Sequence, residues 1–99
     1  MGQVKPGQEA AMRAYVEQTL VPLWRAFAGA DRVEVLYGVQ QDAAGPSIPL
    51  VLSVAYKSQA HVDQAMASPA RHESRALLPA FYEAFFDEVQ LVHTTFELL

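Results

Sequence analysis

Cysteine is missing from the chain, which excludes disulfides, thiolate catalysis and cysteine-ligated metal centres. The apolar runs are far too short to span a bilayer. Basic clusters are also missing, since Arg71 and Arg75, the nearest approach to one, flank Glu73. With 7 basic and 11 acidic residues the formal net charge is −4. These features disfavour nucleic acid and membrane surfaces as partners.

Signals for a metal, a cofactor or export are lacking too. The histidines His61, His72 and His93 do not have the spacing of metal ligands. No glycine-rich phosphate loop, Ser-His-Asp order or paired carboxylates stand out. The first residues, MGQVKPGQEA, lack the apolar core of a signal peptide. We therefore expect a soluble, cytoplasmic protein with no cofactor and no metal.

Apolar residues are what the chain has in excess. They make up 52% of 99 residues, whereas a typical soluble chain has about 45–50%. A single domain, residues 1–99, is too small to bury so much apolar area within itself. We expect a second copy of the chain to cover the remainder, because homodimers are the commonest oligomers.

The first helical region is predicted at Gln8–Phe27, where apolar residues follow at spacings of three and four. These residues are Met12, Tyr15, Val16, Leu20, Leu23 and Phe27. Pro22 falls inside the pattern, lacks an amide hydrogen and crowds the carbonyl of Gln18, so we expect a kink or a break near Leu20–Val21. Gly29 is the expected C-terminal cap.

The second helical region is predicted in two segments. Ser58 is a suitable N-cap for a short helix that ends near Ala67. Ser68 and Pro69 repeat the start signal, with a proline at the first helical position. The second segment should run to about Phe86 and be perturbed at Pro79.

Alternating apolar and polar residues predict the strands. The spans are Arg32–Gln40, Pro49–Lys57 and Glu88–Leu98, with a stub at Met1–Lys5. The loop Gln41–Ser47 suits a hairpin, so the first two strands should be antiparallel neighbours. The second of them is apolar on both faces, which indicates that it is covered on both sides.

The order (stub)-α-β-β-α-β predicts an α+β fold. With a short first strand it becomes βαββαβ, the ferredoxin-like unit, whose first strand is here short or missing. Two helical regions would cover one face of an antiparallel sheet. The other face, apolar and open, is the predicted homodimer surface.

Three short motifs resemble those of a known group of proteins. They are Tyr15-Val-Glu-Gln-Thr-Leu-Val-Pro-Leu23, Ser68-Pro-Ala-Arg71 and Leu78-Pro-Ala-Phe81. The chain is thereby similar to the dimeric α+β barrel superfamily, and within it to the EthD-like group. That resemblance implies two sheets facing each other in a barrel. The group's pattern has a histidine two residues before the proline, where this chain has Leu20.

A ligand pocket is predicted between sheet and helices, lined by Tyr15, Trp24, Tyr37, Tyr56 and His93. His93 is the candidate catalytic group, because it interrupts an apolar strand face and histidine is the side chain most often used as a general acid or base. The competing interpretation is that the aromatics fill the core and His93 is an interface or core histidine.

These residues leave three functional hypotheses open. The first is a dimer that binds a small apolar or aromatic ligand, as a cofactor-independent enzyme of the monooxygenase or isomerase kind. The second is a non-catalytic accessory or stress-responsive dimer with no ligand pocket, which Leu20 favours. The third is that the short first strand leaves an open sheet edge for a partner chain.

Overall fold

The predicted α+β class is confirmed by a computed structural model, which describes residues 1–42 and 44–97. Its helices and strands follow the predicted order. In chain order the elements are β1 (Gly2–Val4), α1 (Glu9–Tyr15), a π-helical segment (Val16–Leu20), α2 (Val21–Arg25), β2 (Arg32–Tyr37), β3 (Leu50–Ala55), α3 (Gln59–Met66), α4 (Pro69–Phe85) and β4 (Phe86–Val89).

The strands form two small antiparallel sheets rather than one. β2 pairs with β3 in the hairpin that the sequence predicts, and β1 pairs with β4. The short first strand is therefore present. One backbone hydrogen bond, from the amide of Gly2 to the carbonyl of Ser47 at 2.9 Å, joins the β1–β4 sheet to the segment before β3. A single four-stranded ferredoxin-like sheet is not confirmed.

Pro22 shapes the first helical region, although not by breaking it. The residues before it wind as a π-helix, in which the amide of Val21 donates to the carbonyl of Val16, five residues earlier. Proline cannot donate to the carbonyl of Gln18, so the α-helical pattern loses a bond there. The chain forms the wider π-helical turn at this position, and the α-helix resumes at Val21.

Local capping signals act only in part as predicted. The Ser58 hydroxyl accepts the amide of His61 at 3.3 Å and caps α3. Pro69 opens α4, but the buried Ser68 hydroxyl accepts the amide of Ala28 at 3.4 Å instead of capping. Gly29 is not the C-cap that the sequence predicts, because α2 ends at Arg25 and Ala26 is its C-cap. Gly29 lies in the following turn with a φ of 79°, and a Cβ there would lie 2.8 Å from the carbonyl oxygen of His61. Glycine is required at this turn for both reasons.

The core lies between the first helical region, α4 and the inner faces of the strands. Its buried apolar members are Met12, Val16, Leu20, Val21, Trp24, Phe81 and Phe86. Phe81 is its centre, with ring centroids 5.3 Å from Tyr15 and 5.4 Å from Phe86. These distances are those of favourable aromatic pairs.

Within residues 1–42 and 44–97, helices cover one face of the strands and leave the other open. The molecule measures 40 × 31 × 18 Å, and 18 Å fits one helical layer on one strand layer when layers pack about 10 Å apart. Val33, Val35 and Leu52 pack towards the core. Leu36 and Val51 point the other way and are exposed. The outer face is mixed, because Arg32, Glu34 and Ser53 share it with these two residues, so the apolar face expected from the sequence is present only in part.

The last strand is shorter than predicted. The prediction was Glu88–Leu98, whereas β4 ends at Val89 and residues 90–97 have no regular structure; Leu98 lies outside the described residues. The backbones of Met1 and Gln90 exchange hydrogen bonds of 2.7 and 2.6 Å, so pairing with β1 reaches Gln90. Residues 91–97, here called the C-terminal arm, lie beyond that last pair.

Candidate functional site

A groove of about 500 Å³ runs between the first helical region and β2. It is lined by Glu17, Val21 and Arg25 on the helical side and by residues 33–37 on the strand side. Successive residues of a strand point to opposite faces. Because all five consecutive residues of β2 contribute, the groove follows the edge of the strand rather than one face. This edge is the one that does not pair with β3.

The helical wall of the groove comes from one stripe of side chains. Glu17, Val21 and Arg25 are spaced by four residues, which places them on the same side of a helix. Glu17 and Arg25 are exposed and Val21 is buried. The π-helical segment lies at the same place, and such segments are frequent at functional sites. The wall is therefore apolar at its base and charged at its rim.

One end of the groove carries a polar cluster. The hydroxyl of Tyr37 donates to Oε1 of Glu17 at 3.4 Å. The guanidinium carbon of Arg13 lies 4.5 Å from the centroid of the Tyr37 ring, within the range of a cation–π contact. The Nε of Arg13 is buried and has no hydrogen-bond partner among the described residues. The phenol is thus held between a cation and an anion.

The protonation of Tyr37 follows from this setting. Burial raises the pKa of its phenol, and the negative charge and hydrogen bond of Glu17 raise it further. The positive charge of Arg13 acts in the opposite direction on that pKa. Tyr37 is therefore a neutral hydroxyl at physiological pH. It can donate or accept a hydrogen bond to a bound molecule, but it does not supply a base.

Tyr37 is the one residue of the predicted pocket that lines this groove. Trp24 is only 6% exposed and belongs to the core. The ring of Tyr15 stacks on Phe81 at an interplanar angle of 19°. Both aromatics therefore pack in the way the competing interpretation expects, behind the groove instead of in its wall.

The other two predicted residues lie outside the groove. Tyr56 follows β3 and is half-buried. Burial raises the pKa of Tyr56, and the positive charge of Arg71, on α4, opposes that shift. His93 is exposed in the C-terminal arm. The assignment of these residues to one pocket, and a catalytic role for His93, stay predictions.

Sequence reasoning missed the polar residues of the groove. The sequence pattern places Arg13 and Glu17 on the solvent side of a helix, and it gives Arg25 no role. A signal was present, because Arg13, Glu17, Val21 and Arg25 repeat at intervals of four. The sequence pattern does not show that β2 lies against this stripe, because the contact joins residues that are distant in the sequence.

Metal and membrane features are absent from the described part of the chain. Residues 1–42 and 44–97 contain no group of three histidine, aspartate or glutamate side chains placed to hold a metal ion. Among the same residues, no helix is both long and apolar enough to cross a membrane.

Comparison with known proteins adds no relative. No family model, no curated protein and no solved structure matches the chain.

Proposed function

We propose that this protein is a homodimeric, ferredoxin-like α+β barrel, similar to the EthD-like group, that binds a small apolar or aromatic ligand in the groove beside β2. The observation that carries the proposal is a groove with an aliphatic base, lying next to an uncovered sheet face on which Leu36 and Val51 are exposed. Dimerisation through that face would cover the second side of the strands and close the space around the groove.

The uncovered sheet face supports the dimer. Leu36 and Val51 are 49% and 41% exposed and are direct neighbours across the hairpin. A dimer that covers this face removes both side chains from water, which is favourable. The antiparallel pairs β4–β1 and β3–β2 support the ferredoxin-like part of the proposal, because a ferredoxin-like sheet contains both pairings.

The composition of the groove supports the ligand. Its base is aliphatic, formed by Val21, Val33 and Val35, and its rim carries Glu17, Arg25 and Glu34. Its volume of about 500 Å³ lies within the range of about 300–1,000 Å³ that is usual for small-molecule sites. The hydroxyl of Tyr37 provides one oriented polar contact. An aliphatic base beside a neutral phenol and a charged rim fits an apolar or aromatic molecule that carries a hydrogen-bonding group.

The test is binding of 2-naphthol, a neutral aromatic probe, to the full-length protein labelled with ¹⁵N. We expect amide shifts concentrated at residues 33–37 and at Val21. Glu17→Phe should block the groove, whereas Gln18→Phe, the adjacent exposed residue that does not line it, should leave binding unchanged. Shifts spread evenly over the surface, or equal effects of the two variants, would contradict the ligand site.

The second candidate is a non-catalytic accessory or stress-responsive dimer without a ligand. Two observations favour it. Leu20, at the position where the EthD-like pattern has a histidine, is fully buried in the core, and His93 is exposed in the arm. An intact dimer that shows no 2-naphthol binding would support this candidate. For the enzymatic version, unchanged turnover in His93→Ala would remove the proposed role of that histidine.

A further inference from the structure

The groove beside β2 has two different ends, because the first helical region and β2 run in opposite directions along it. The hydroxyl of Tyr37, at the end of β2, donates to Glu17 at 3.4 Å, and residues 26–31 return the chain from Arg25 to the start of β2. At about 1.5 Å per helical residue, Arg25 lies about 12 Å from Glu17 along the helix. At about 3.3 Å per strand residue, Val33 lies about 13 Å from Tyr37. The two lengths match, so Arg25 and Val33 share the other end of the groove.

Arg25 supplies an unpaired positive charge at that end. Its side chain lines the groove and is exposed. It forms no ion pair and no hydrogen bond with any other residue of 1–42 and 44–97. A guanidinium carries its N–H donors in a planar fork that matches the two oxygens of a carboxylate. This end of the groove therefore suits an anionic group.

The acidic groups near Arg25 are occupied by other cations. Glu34 also lines the groove, but its carboxylate forms an ion pair with Arg32 on the outer face of β2. Asp31, which precedes β2, pairs with Lys57, with 3.5 Å between Oδ1 and Nζ. These two pairs reduce the repulsion that an anion beside Arg25 would meet.

Glu17 is too far away to neutralise Arg25. The separation of about 12 Å along the helix exceeds the screening length of about 8 Å at physiological ionic strength. Glu17 is also held at its own end of the groove, where it accepts the hydroxyl of Tyr37 while Arg13 lies over the same ring. An anion is consequently disfavoured at the Tyr37 end and favoured at the Arg25 end.

The backbone adds a hydrogen-bond donor beside Arg25. The amide of Gly38 donates to the carbonyl of Pro49 at 3.0 Å, which fixes the phase of the β2–β3 ladder. In an antiparallel pair, alternate residues point their amides to the partner strand. The amide of Val33 therefore points away from β3, along the edge of β2 that the groove follows. A carboxylate at this end can accept it.

We infer that the ligand of the groove is an organic acid, whose apolar or aromatic body lies on Val21 and Val35 and whose carboxylate is held by Arg25 and the amide of Val33. This inference rests on the proposed function and names the chemical class of its ligand. The two ends of the groove orient the molecule, because its anionic group meets Arg25 and its far end meets the neutral hydroxyl of Tyr37.

Two probes of the same shape test the charge. 2-Naphthoate carries a carboxylate at pH 7, and 2-naphthamide carries a neutral amide in its place. In NMR titrations of the full-length ¹⁵N-labelled protein, we expect 2-naphthoate to bind about five- to tenfold more tightly, with shifts at residues 33–37. Raising the salt concentration should weaken 2-naphthoate more than 2-naphthamide, since the ion pair is exposed to solvent.

Matched variants assign the preference to one side chain. Arg25→Gln should bring the two affinities within about twofold of each other, and Arg25→Lys, which keeps the charge, should retain part of the difference. Arg75→Gln removes the same charge from an exposed position on α4 that does not line the groove, and it should leave the preference unchanged.

The outcomes separate this inference from the proposed function. Equal binding of the two probes in the groove, or a preference that survives Arg25→Gln, overturns the organic acid and leaves the ligand site standing. Absence of groove shifts with 2-naphthoate, 2-naphthamide and 2-naphthol overturns both.

Discussion

Leu36 and Val51 face each other across the β2–β3 hairpin on the side of the strands that no helix covers. They are 49% and 41% exposed. Their neighbours along β2, Val33 and Val35, pack into the core instead. The hairpin therefore has one face that the chain buries and an outer face on which Leu36 and Val51 are exposed beside the Arg32–Glu34 ion pair. This relationship is the basis of the dimer proposed above.

Charged residues at this pair should separate the dimer without unfolding the chain. We expect Leu36→Asp to yield a folded monomer, because it adds a negative charge to the contact surface while leaving the core untouched. Size-exclusion chromatography with light scattering gives the mass, and circular dichroism confirms the fold. Met66→Asp, at a 39% exposed position on α3 in the helical layer, is the matched control and should stay dimeric. Dimers of equal mass in both variants would contradict the assigned face.

The cluster at the end of the groove predicts two pKa changes of opposite sign. Glu17→Gln should lower the pKa of Tyr37, because it removes the negative charge that disfavours the phenolate. Arg13→Gln should raise the same pKa, because it removes the cation that favours the phenolate. NMR titration of ¹³Cζ-labelled tyrosine follows each phenol, with Tyr37→Phe to assign the signal. Shifts in the same direction in both variants would refute this electrostatic picture.

Alkaline pH should destabilise the fold through its buried phenols. Burial raises the pKa values of Tyr37, Tyr56 and Tyr82 above 10.0. Below pH 10.0 both the folded and unfolded states keep these protons, so stability does not change on their account. Above it the unfolded state loses protons first, and the free energy of unfolding falls as pH rises towards the folded-state values.

Urea midpoints measured from pH 8 to pH 11 check this dependence. The decline should be shallower in Tyr82→Phe, which removes one of the shifted groups. A decline equally steep in the variant would show that Tyr82 does not contribute to it.

The aromatic centre of the core should carry a large share of the stability. Phe81 is 2% exposed and contacts four other aromatic rings. Phe81→Ala should cost about 3–5 kcal/mol of unfolding free energy, through lost burial and the cavity left behind. Val39→Ala, at an exposed site, should change it by no more than about 0.5 kcal/mol. Chemical denaturation measures both, and a small loss at Phe81 would show that the core is centred elsewhere.

Local signals in the sequence were sufficient for much of the fold. Ser58 begins a helix, Gly29 occupies a left-handed turn, and the alternation in β2 and β3 yields an antiparallel hairpin. Each of these outcomes depends on residues close in sequence. The sequence predicts where Pro22 disturbs the helix but not which structure results. A missing amide donor is compatible with a kink, a break or a π-helical turn.

Features that depend on distant partners were not predictable. The alternating pattern predicts one strand at residues 88–98, but β4 ends at Val89. A strand needs a neighbouring strand to pair with, and strand propensity alone does not supply one. The helical pattern predicts that Arg13 and Glu17 face solvent. In the structure, Tyr37 of β2 contacts both of them. Strand alternation predicts that Tyr56 and His93 share a pocket with Tyr15 and Trp24. Alternation does not show where a strand ends, and His93 lies beyond the end of β4 at Val89.

Sedimentation equilibrium of the full-length protein at low micromolar to high micromolar concentration tests the central claim most directly. The account predicts a reversible monomer–dimer equilibrium with the dimer dominant at the upper concentrations. A monomer at every concentration would contradict the covered sheet face and, with it, the proposed homodimer.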